Sequence, residues 1–193
     1  MKTITLKAIL FIAVIFMLLA FEIPSGWFKA GSKSDSYEMG IDKGAGMDGK
    51  NAATIKSIEN VVDGYGTLMQ SSAPDKFKGK RIRLSGYIKT KEVTGKAGFW
   101  LRIGQANSQS FLAFDNMMER PVVGTTDWKK YDIVLDVSDK ASKISYGALL
   151  RGTGQMWFDK LTFEVVDNSV PTTGKKLVTV KTVSEPLNLD FEN

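Results

Sequence analysis

Short runs in which apolar and polar residues alternate fill most of the sequence after residue 27, and they restrict the fold more than any other feature. In residues 80–89, Ile82, Leu84 and Ile88 point to one side of an extended chain, and basic and hydroxyl side chains point to the other. A period of two with one apolar face is what a half-buried antiparallel sheet requires. The pattern therefore predicts an all-β protein.

Nine runs with this character are separated by Gly- and Asp-containing turns. They are residues 36–41, 51–58, 66–72, 80–90, 98–104, 110–115, 128–137, 143–151 and 155–166. So many short strands bury their apolar faces best in two packed sheets, so we predict a two-sheet antiparallel β-sandwich of the jelly-roll type. Residues 177–183 would be one more short strand or part of a tail.

The N-terminus has the pattern of a targeting segment. Lys2 and Lys7 precede an uncharged, mostly large apolar run at residues 8–21, and a basic region followed by such a run is typical of secretory signals. As a helix this run would be about 21 Å long, shorter than a hydrocarbon core of about 30 Å. Leu18 stands where a cleavage site prefers a small residue. The alternative is therefore that the segment is not cleaved and serves as a membrane anchor. We expect an exported protein.

Three segments follow from these patterns. Residues 1–22 are the signal peptide or N-terminal anchor, preceding the body as one hydrophobic helix, and residues 23–167 are the jelly roll. Residues 168–193 are a linker and tail, because Pro171, two threonines and Gly174 interrupt the strand pattern.

Composition excludes several classes of function. The chain has no cysteine and no histidine among its 193 residues, so it can hold no disulfide and no Ser-His-Asp or Cys-His catalytic group. Its 26 basic and 21 acidic residues give a net charge of +5, and the basic residues are scattered. A nucleic-acid partner would require a basic run or face, so none is expected.

The run at residues 154–164 resembles the last-strand signature of galactose-binding-like jelly rolls, the fold of many carbohydrate-binding modules. That signature reads Gly-x-x-Trp-(apolar)-Asp-(Asp)-(apolar)-x-Phe, and Lys160 replaces its second Asp here. Residues 126–131 resemble the Trp-x-x-Tyr strand start of the same fold. The sequence is also similar to a bacterial family of uncharacterised exported β-sandwich proteins, some of which carry a transcriptional-regulator label. The resemblance implies a fold and leaves the function open.

One predicted sheet face has the residues that suit a saccharide. If Phe99, Leu101 and Ile103 form the core row, Trp100 and Arg102 lie on the opposite, open face. An aromatic plane stacks on sugar CH groups, and polar side chains bond the hydroxyls. The candidate ligand-binding residues are Trp100, Arg102, Tyr87, Arg83, Asp115, Asn116 and Gln70. The alternative is a covered face, with Trp100 under a loop, and we expect Trp128 and Trp157 in the core.

A structural calcium site would use Asp159 with Glu22 or Asp42, since calcium binds carboxylate and carbonyl oxygens. The sequence has no Asp-x-Asp-x-Asp-Gly loop. The alternative is that Asp159 accepts backbone hydrogen bonds, and no cofactor is required for the predicted function.

These features favour an exported, non-catalytic binding module for a glycan. The alternative from another class is a structural or protein-interaction domain of the cell envelope, which meets a protein partner and contacts the membrane only through an uncleaved N-terminal segment. A glycosidase or lyase would need a pair of carboxylates, and no motif marks one.

Overall fold

The computed structural model describes residues 21–106 and 110–176, with the backbone alone at residues 175 and 176. In these ranges the chain forms one turn of 3-10 helix, Ser34–Ser36, and ten strands that pair antiparallel throughout. The strands are β1 Phe28–Ala30, β2 Tyr37–Asp42, β3 Ala52–Ser57, β4 Tyr65–Ser72, β5 Arg81–Gln105, β6 Phe111–Asp115, β7 Val122–Asp136, β8 Ala141–Arg151, β9 Gln155–Val166 and β10 Lys175–Lys176.

The strands belong to one continuous sheet that folds over into two layers, because the long strand β5 takes part in both. Residues 81–91 of β5 pair with β7 and β9, and β9 continues to β3 and β2; this is the first layer. Residues 96–105 of β5 pair with β6 and β8, and β8 continues to β4 and β1; this is the second layer. The result is a nearly closed jelly roll and not two separate sheets.

The inner faces of the two layers meet through aromatic rings. The ring of Phe99 in the second layer packs edge-on against Phe158 in the first layer, with centroids 6.2 Å apart. Gly86 of the first layer leaves room for this ring, because a Cβ there would lie 2.8 Å from Phe99 Cζ. The predicted core rows are confirmed: Ile82, Leu84, Ile88, Phe99, Leu101 and Ile103 are all 0% exposed.

Two bulges exchange the inward and outward sides along a strand. In β5, Thr90 and Val93 are both buried although two residues separate them, and Glu92 between them has a left-handed φ of 53°. In β9, Phe158 is buried and Leu161 packs against the core, with Lys160 at φ 53° between them. One extra residue in a strand reverses the alternation beyond it. These bulges decide which side chains share a face.

The predicted runs all coincide with strands, with differences at their junctions. Runs 80–90 and 98–104 are parts of the single strand β5, and β7 begins six residues before the predicted run. The short strands β1 and β10 were not expected from the pattern. Residues 177–183 and the hydrophobic N-terminal segment lie outside the described residues. No helix in the described ranges is long and apolar enough to cross a membrane.

The segment after β9 contacts the jelly roll. Arg81 donates hydrogen bonds of 2.6 Å to the carbonyls of Asn168 and Val170. Thr173 donates its backbone N–H to the carbonyl of Val134. Residues predicted as a linker therefore lie along β7 as far as β10.

Candidate ligand-binding faces

The outer surface of the second layer carries an aromatic and basic patch, here named the Trp100 face. Trp100 lies opposite Gly147 of β8, and Met69 and Phe28 continue the same row across β4 and β1. In the next row Arg102 lies opposite Phe114 of β6. The members of the Trp100 face are Trp100, Arg102, Phe114, Met69 and Phe28.

The Trp100 indole is held in a fixed orientation. Its Nε1–H donates a 2.8 Å hydrogen bond to Thr67 Oγ1, and that hydroxyl donates a 2.7 Å bond to the Ala148 carbonyl. Gly147 lies opposite Trp100 without a side chain to compete for the space. Thr67 is 4% exposed, whereas Trp100 is partly exposed. An anchored ring with accessible surface loses little conformational entropy when a ligand stacks on it.

Arg83 and Tyr87 do not join the Trp100 face, contrary to the prediction. Both point outward from residues 81–91 of β5, which belong to the first layer, and Trp100 points outward from the second. Arg83 forms a 2.8 Å ion pair with Glu164 on that first layer. The outer faces of the two layers point away from each other, because the inner faces meet at Phe99.

The outer surface of the first layer carries a second aromatic patch, here named the Trp157 face. It contains Trp157, Tyr87, Lys89, Lys91 and Lys130. The expectation that Trp157 lies in the core is wrong: its neighbours Met156 and Phe158 fill the core, and Trp157 is partly exposed. The bulge at Lys160 places Trp157 and Leu161 on opposite faces, although strict alternation puts them together.

The Trp157 indole is also anchored, but by a charged group. Its Nε1–H donates a 2.7 Å hydrogen bond to Asp42 Oδ2, and the Lys89 ammonium lies 5.8 Å from its ring centroid. Thr54 lies opposite Trp157 on β3 and is fully buried. Trp128, which the sequence also assigns to the core, is partly exposed. The apolar run of residues 156–158 gave no signal of which residues face outward.

Asp115 has a structural environment that its prediction as a ligand-binding residue did not anticipate. It is 6% exposed. Its carboxylate accepts a 2.7 Å bond from Arg120 Nη2, a 2.6 Å bond from Thr173 Oγ1 and a 2.7 Å bond from the Met117 N–H. The carboxylate thereby fastens the segment after β9 to the end of β6, and it is not on an open face.

Gln70 and Asn116 complete the set of predicted residues. Gln70 lies opposite Tyr146 on the inner side of the second layer and accepts a hydrogen bond from its hydroxyl. Burial raises the pKa of Tyr146, which keeps the phenol protonated as a donor. Asn116 follows β6 and is partly exposed near the Trp100 face. Of the seven predicted residues, the structure places Trp100 and Arg102 on one face, with Asn116 beside it.

Asp159 accepts backbone hydrogen bonds. Its two carboxylate oxygens accept bonds of 2.7 Å from the Lys160 N–H and 3.3 Å from the Met47 N–H. Asp42 is bonded to Trp157, and Glu22 forms an isolated bridge with Ile41 on the edge of β2. In residues 21–106 and 110–176, no three acidic side chains are grouped as a metal site. These contacts match the alternative to a calcium site.

Comparisons with known proteins place the fold. The described structure is similar to the CBM22-1 xylan-binding domain from Paenibacillus barcinonensis Xyn10C, with a TM-score of 0.53, 13% identity, and coverage of 76% of this chain and 90% of that chain. The fold is a jelly roll that resembles those of carbohydrate-binding modules. It is also similar to the enzymatically active domain of bacteriophage CBA120 tailspike protein 4, with a TM-score of 0.54, 12% identity, and coverage of 74% and 20%. Likeness at these identities shows the fold alone.

The sequence is also similar to that of a curated bacterial protein. A Bacillus subtilis (strain 168) protein named uncharacterized HTH-type transcriptional regulator YbfP is 43% identical over 169 residues, which cover 86% of this chain and 56% of that protein. The chain thus spans little more than half the length of this relative. No α-helix occurs in the part of the chain that the structure describes, so a helix-turn-helix has no counterpart there. No protein-family model matches the sequence.

Proposed function

We propose that this chain is an exported, non-catalytic carbohydrate-binding module and that the Trp100 face is its ligand surface. The fold supports a binding module, since a jelly roll of this kind is a xylan-binding domain in one of the compared proteins. The observation that carries the proposal is the Trp100 indole, which is anchored to Thr67 at 2.8 Å and still partly exposed. A saccharide would stack its CH groups on this ring.

Arg102 supplies the polar part of the proposed surface. It lies two residues along the same side of β5, between Phe114 and Ser145 in the neighbouring strands. A guanidinium group is a fixed fork of hydrogen-bond donors, which suits the hydroxyls of a sugar whose ring covers Trp100. No step of this binding requires a catalytic group.

The experiment is affinity electrophoresis of the full chain in gels that contain neutral polysaccharides such as xylan and galactan. Trp100→Ala should reduce the retardation, because loss of one aromatic anchor weakens the binding free energy by about 1–3 kcal/mol. Trp100→Phe keeps a ring and should retain part of the affinity. Retardation of the parent by none of these polysaccharides, or equal retardation of Trp100→Ala, would refute the proposal.

A protein-interaction role at the envelope is the second candidate, and one observation favours it. Phe28 on the Trp100 face is 47% exposed, and the Phe111 and Phe114 rings pack 5.2 Å apart on the same side. Exposed aromatic side chains in one patch are typical of protein interfaces. The protein-interaction role is supported if the unsubstituted protein binds no polysaccharide and instead co-purifies with a defined envelope protein. Phe28→Ala should then abolish this co-purification.

Export is tested separately by N-terminal sequencing of the protein recovered from each cell fraction. A mature chain that begins shortly after residue 20 supports a cleaved signal. An intact chain in the membrane fraction supports the anchor. An intact chain in the cytosol would refute export.

A further inference from the structure

The Trp157 face differs from the proposed ligand surface in its charge. Tyr87 and Trp157 are diagonal neighbours on adjacent strands, because Lys89 lies opposite Trp157 and Tyr87 lies opposite Asp159. Diagonal neighbours are about 7–8 Å apart, within reach of aromatic side chains. Two aromatic rings and the Lys89 ammonium therefore share one side of the first layer.

Three carboxylates on or beside this face already accept hydrogen bonds. Asp42 accepts the Trp157 indole N–H at 2.7 Å, and Asp159 accepts two backbone N–H groups. In a groove beside Trp157, Asp127 accepts the Trp128 backbone N–H at 2.7 Å. These acceptors hold the local backbone and the indole in place.

The ammonium groups on the same face have no such partners among the described residues. No carboxylate of a described residue forms an ion pair with Lys89, Lys91 or Lys130. Lys89 and Lys91 line the groove beside Trp157, together with Thr125, Thr126 and Glu92. An aromatic wall with unpaired ammonium groups complements a ligand that has both a CH face and negative charges.

We propose that the Trp157 face is a second ligand surface, which binds a saccharide bearing carboxylates. The sugar ring packs against Trp157 in place of the Lys89 ammonium, and the lysines pair with its carboxylates. Glu92 is the carboxylate in the groove that opposes this charge pattern. This surface is separate from the Trp100 face, so either can bind without the other.

The test uses polygalacturonate and its fully methyl-esterified form, which has the same sugar without the charge. The full chain should bind the charged polymer and not the esterified one, and the affinity should fall as salt is raised. The triple variant Lys89→Gln, Lys91→Gln, Lys130→Gln should bind roughly 3- to 30-fold more weakly, as expected for the loss of three exposed ion pairs. Glu92→Gln should bind more tightly than the parent.

The matched control is Lys33→Gln, Lys76→Gln, Lys140→Gln, which removes the same charge from exposed positions outside both faces. Equal weakening by the two triple variants would show general charge attraction and overturn the proposal, as would equal binding of the esterified polymer. Trp100→Ala should leave polygalacturonate binding unchanged, and the Lys89 triple variant should leave binding of neutral polysaccharides unchanged. These two results separate this proposal from the proposed function.

Discussion

The Trp100 face and the Trp157 face repeat one arrangement with different chemistry. On each, a tryptophan lies beside a buried threonine: Thr67 of β4, on the far side of β8 from Trp100, and Thr54 of β3, directly opposite Trp157. The Trp100 indole is bonded to a neutral hydroxyl and has aromatic neighbours, whereas the Trp157 indole is bonded to a carboxylate and has lysine neighbours. The comparison shows that the jelly roll supplies two similar aromatic platforms and that the flanking residues give each platform a different chemistry.

The largest expected effect comes from removing the ring that joins the layers beneath both faces. Phe99→Ala should lower the free energy of unfolding by about 3–5 kcal/mol, because Phe99 is fully buried and touches the opposite layer at Phe158. Denaturant unfolding measures it. Phe114→Ala, on the outer side, is the control and should cost much less. Similar losses for both would contradict the assignment of inner and outer sides.

Asp115 tests whether a residue near the Trp100 face serves binding or structure. Asp115→Ala should cost about 2–3 kcal/mol of stability, because it leaves Arg120, Thr173 and the Met117 N–H without their shared acceptor. The exposed Asp127→Ala is the control in the same unfolding assay. A stable Asp115→Ala protein with weakened saccharide binding would favour the sequence-based assignment instead.

Tyr37 tests whether the two layers respond together. Its hydroxyl donates a 2.8 Å hydrogen bond to the carbonyl of Gly152, in the turn between β8 of the second layer and β9 of the first. Tyr37→Phe should cost about 1–2 kcal/mol at neutral pH. Fluorescence changes at Trp100 and Trp157, read from single-tryptophan variants, should follow one shared unfolding transition.

The same residue predicts a pH dependence. Burial raises the pKa of Tyr37 to about 12, so between about pH 10 and 12 the unfolded chain loses this proton and the folded chain keeps it. The contribution of Tyr37 to the free energy of unfolding should therefore be fully present below about pH 10 and should be lost as the pH rises toward about 12. In Tyr37→Phe the decline of stability with pH should be shallower. Part of the decline should remain in this variant, because burial also raises the pKa of Tyr131 and Tyr146. Parallel declines in parent and variant would refute the assignment.

The two indole hydrogen bonds give a direct measure of the difference between the faces. Trp157→Phe removes a bond to a carboxylate and should cost about 1–2 kcal/mol, whereas Trp100→Phe removes a bond to a hydroxyl and should cost about 0.5–1 kcal/mol. Chemical unfolding of both variants at the same salt concentration checks the order. A larger loss for Trp100→Phe would reverse the comparison.

The smallest expected effect concerns Arg83. Its ion pair with Glu164 is partly exposed, so Arg83→Gln should change stability by less than about 1 kcal/mol. Because Arg83 lies on the first layer, the variant should bind neutral polysaccharides like the parent in affinity electrophoresis. Weakened binding would mean that ligand reaches both layers.

The strand positions and the buried rows could be predicted from the sequence, because both depend on local alternation. Which outward-pointing residues of different strand segments share one surface could not be predicted. The alternation of each segment predicts correctly that Arg83, Tyr87 and Trp100 point outward, but it does not show that β5 passes from the first layer to the second between Tyr87 and Trp100. Glu92 and Lys160 are not glycines, so their left-handed backbone has no signal in the residue type.

The environment of Asp115 shows a second limit of local patterns. Its position at the end of a predicted strand was evident, but its acceptor role depends on Thr173, which lies 58 residues later in the chain. A contact of that kind is created by the return of the segment after β9 along β7. Alternation within a run carries no information about it.

The bulge in β5 also bears on how this chain can change through evolution. Deleting Glu92 would leave one residue between Thr90 and Val93, so strict alternation would keep Phe99, Leu101 and Ile103 on the inner side and Trp100 and Arg102 on the outer side. Exchanging Glu92 for another residue leaves the number of residues unchanged and costs only its local preference. Loss of one codon at this corner therefore keeps the inner and outer rows in phase, whereas loss of one codon within a regular part of β5 would exchange them beyond that point.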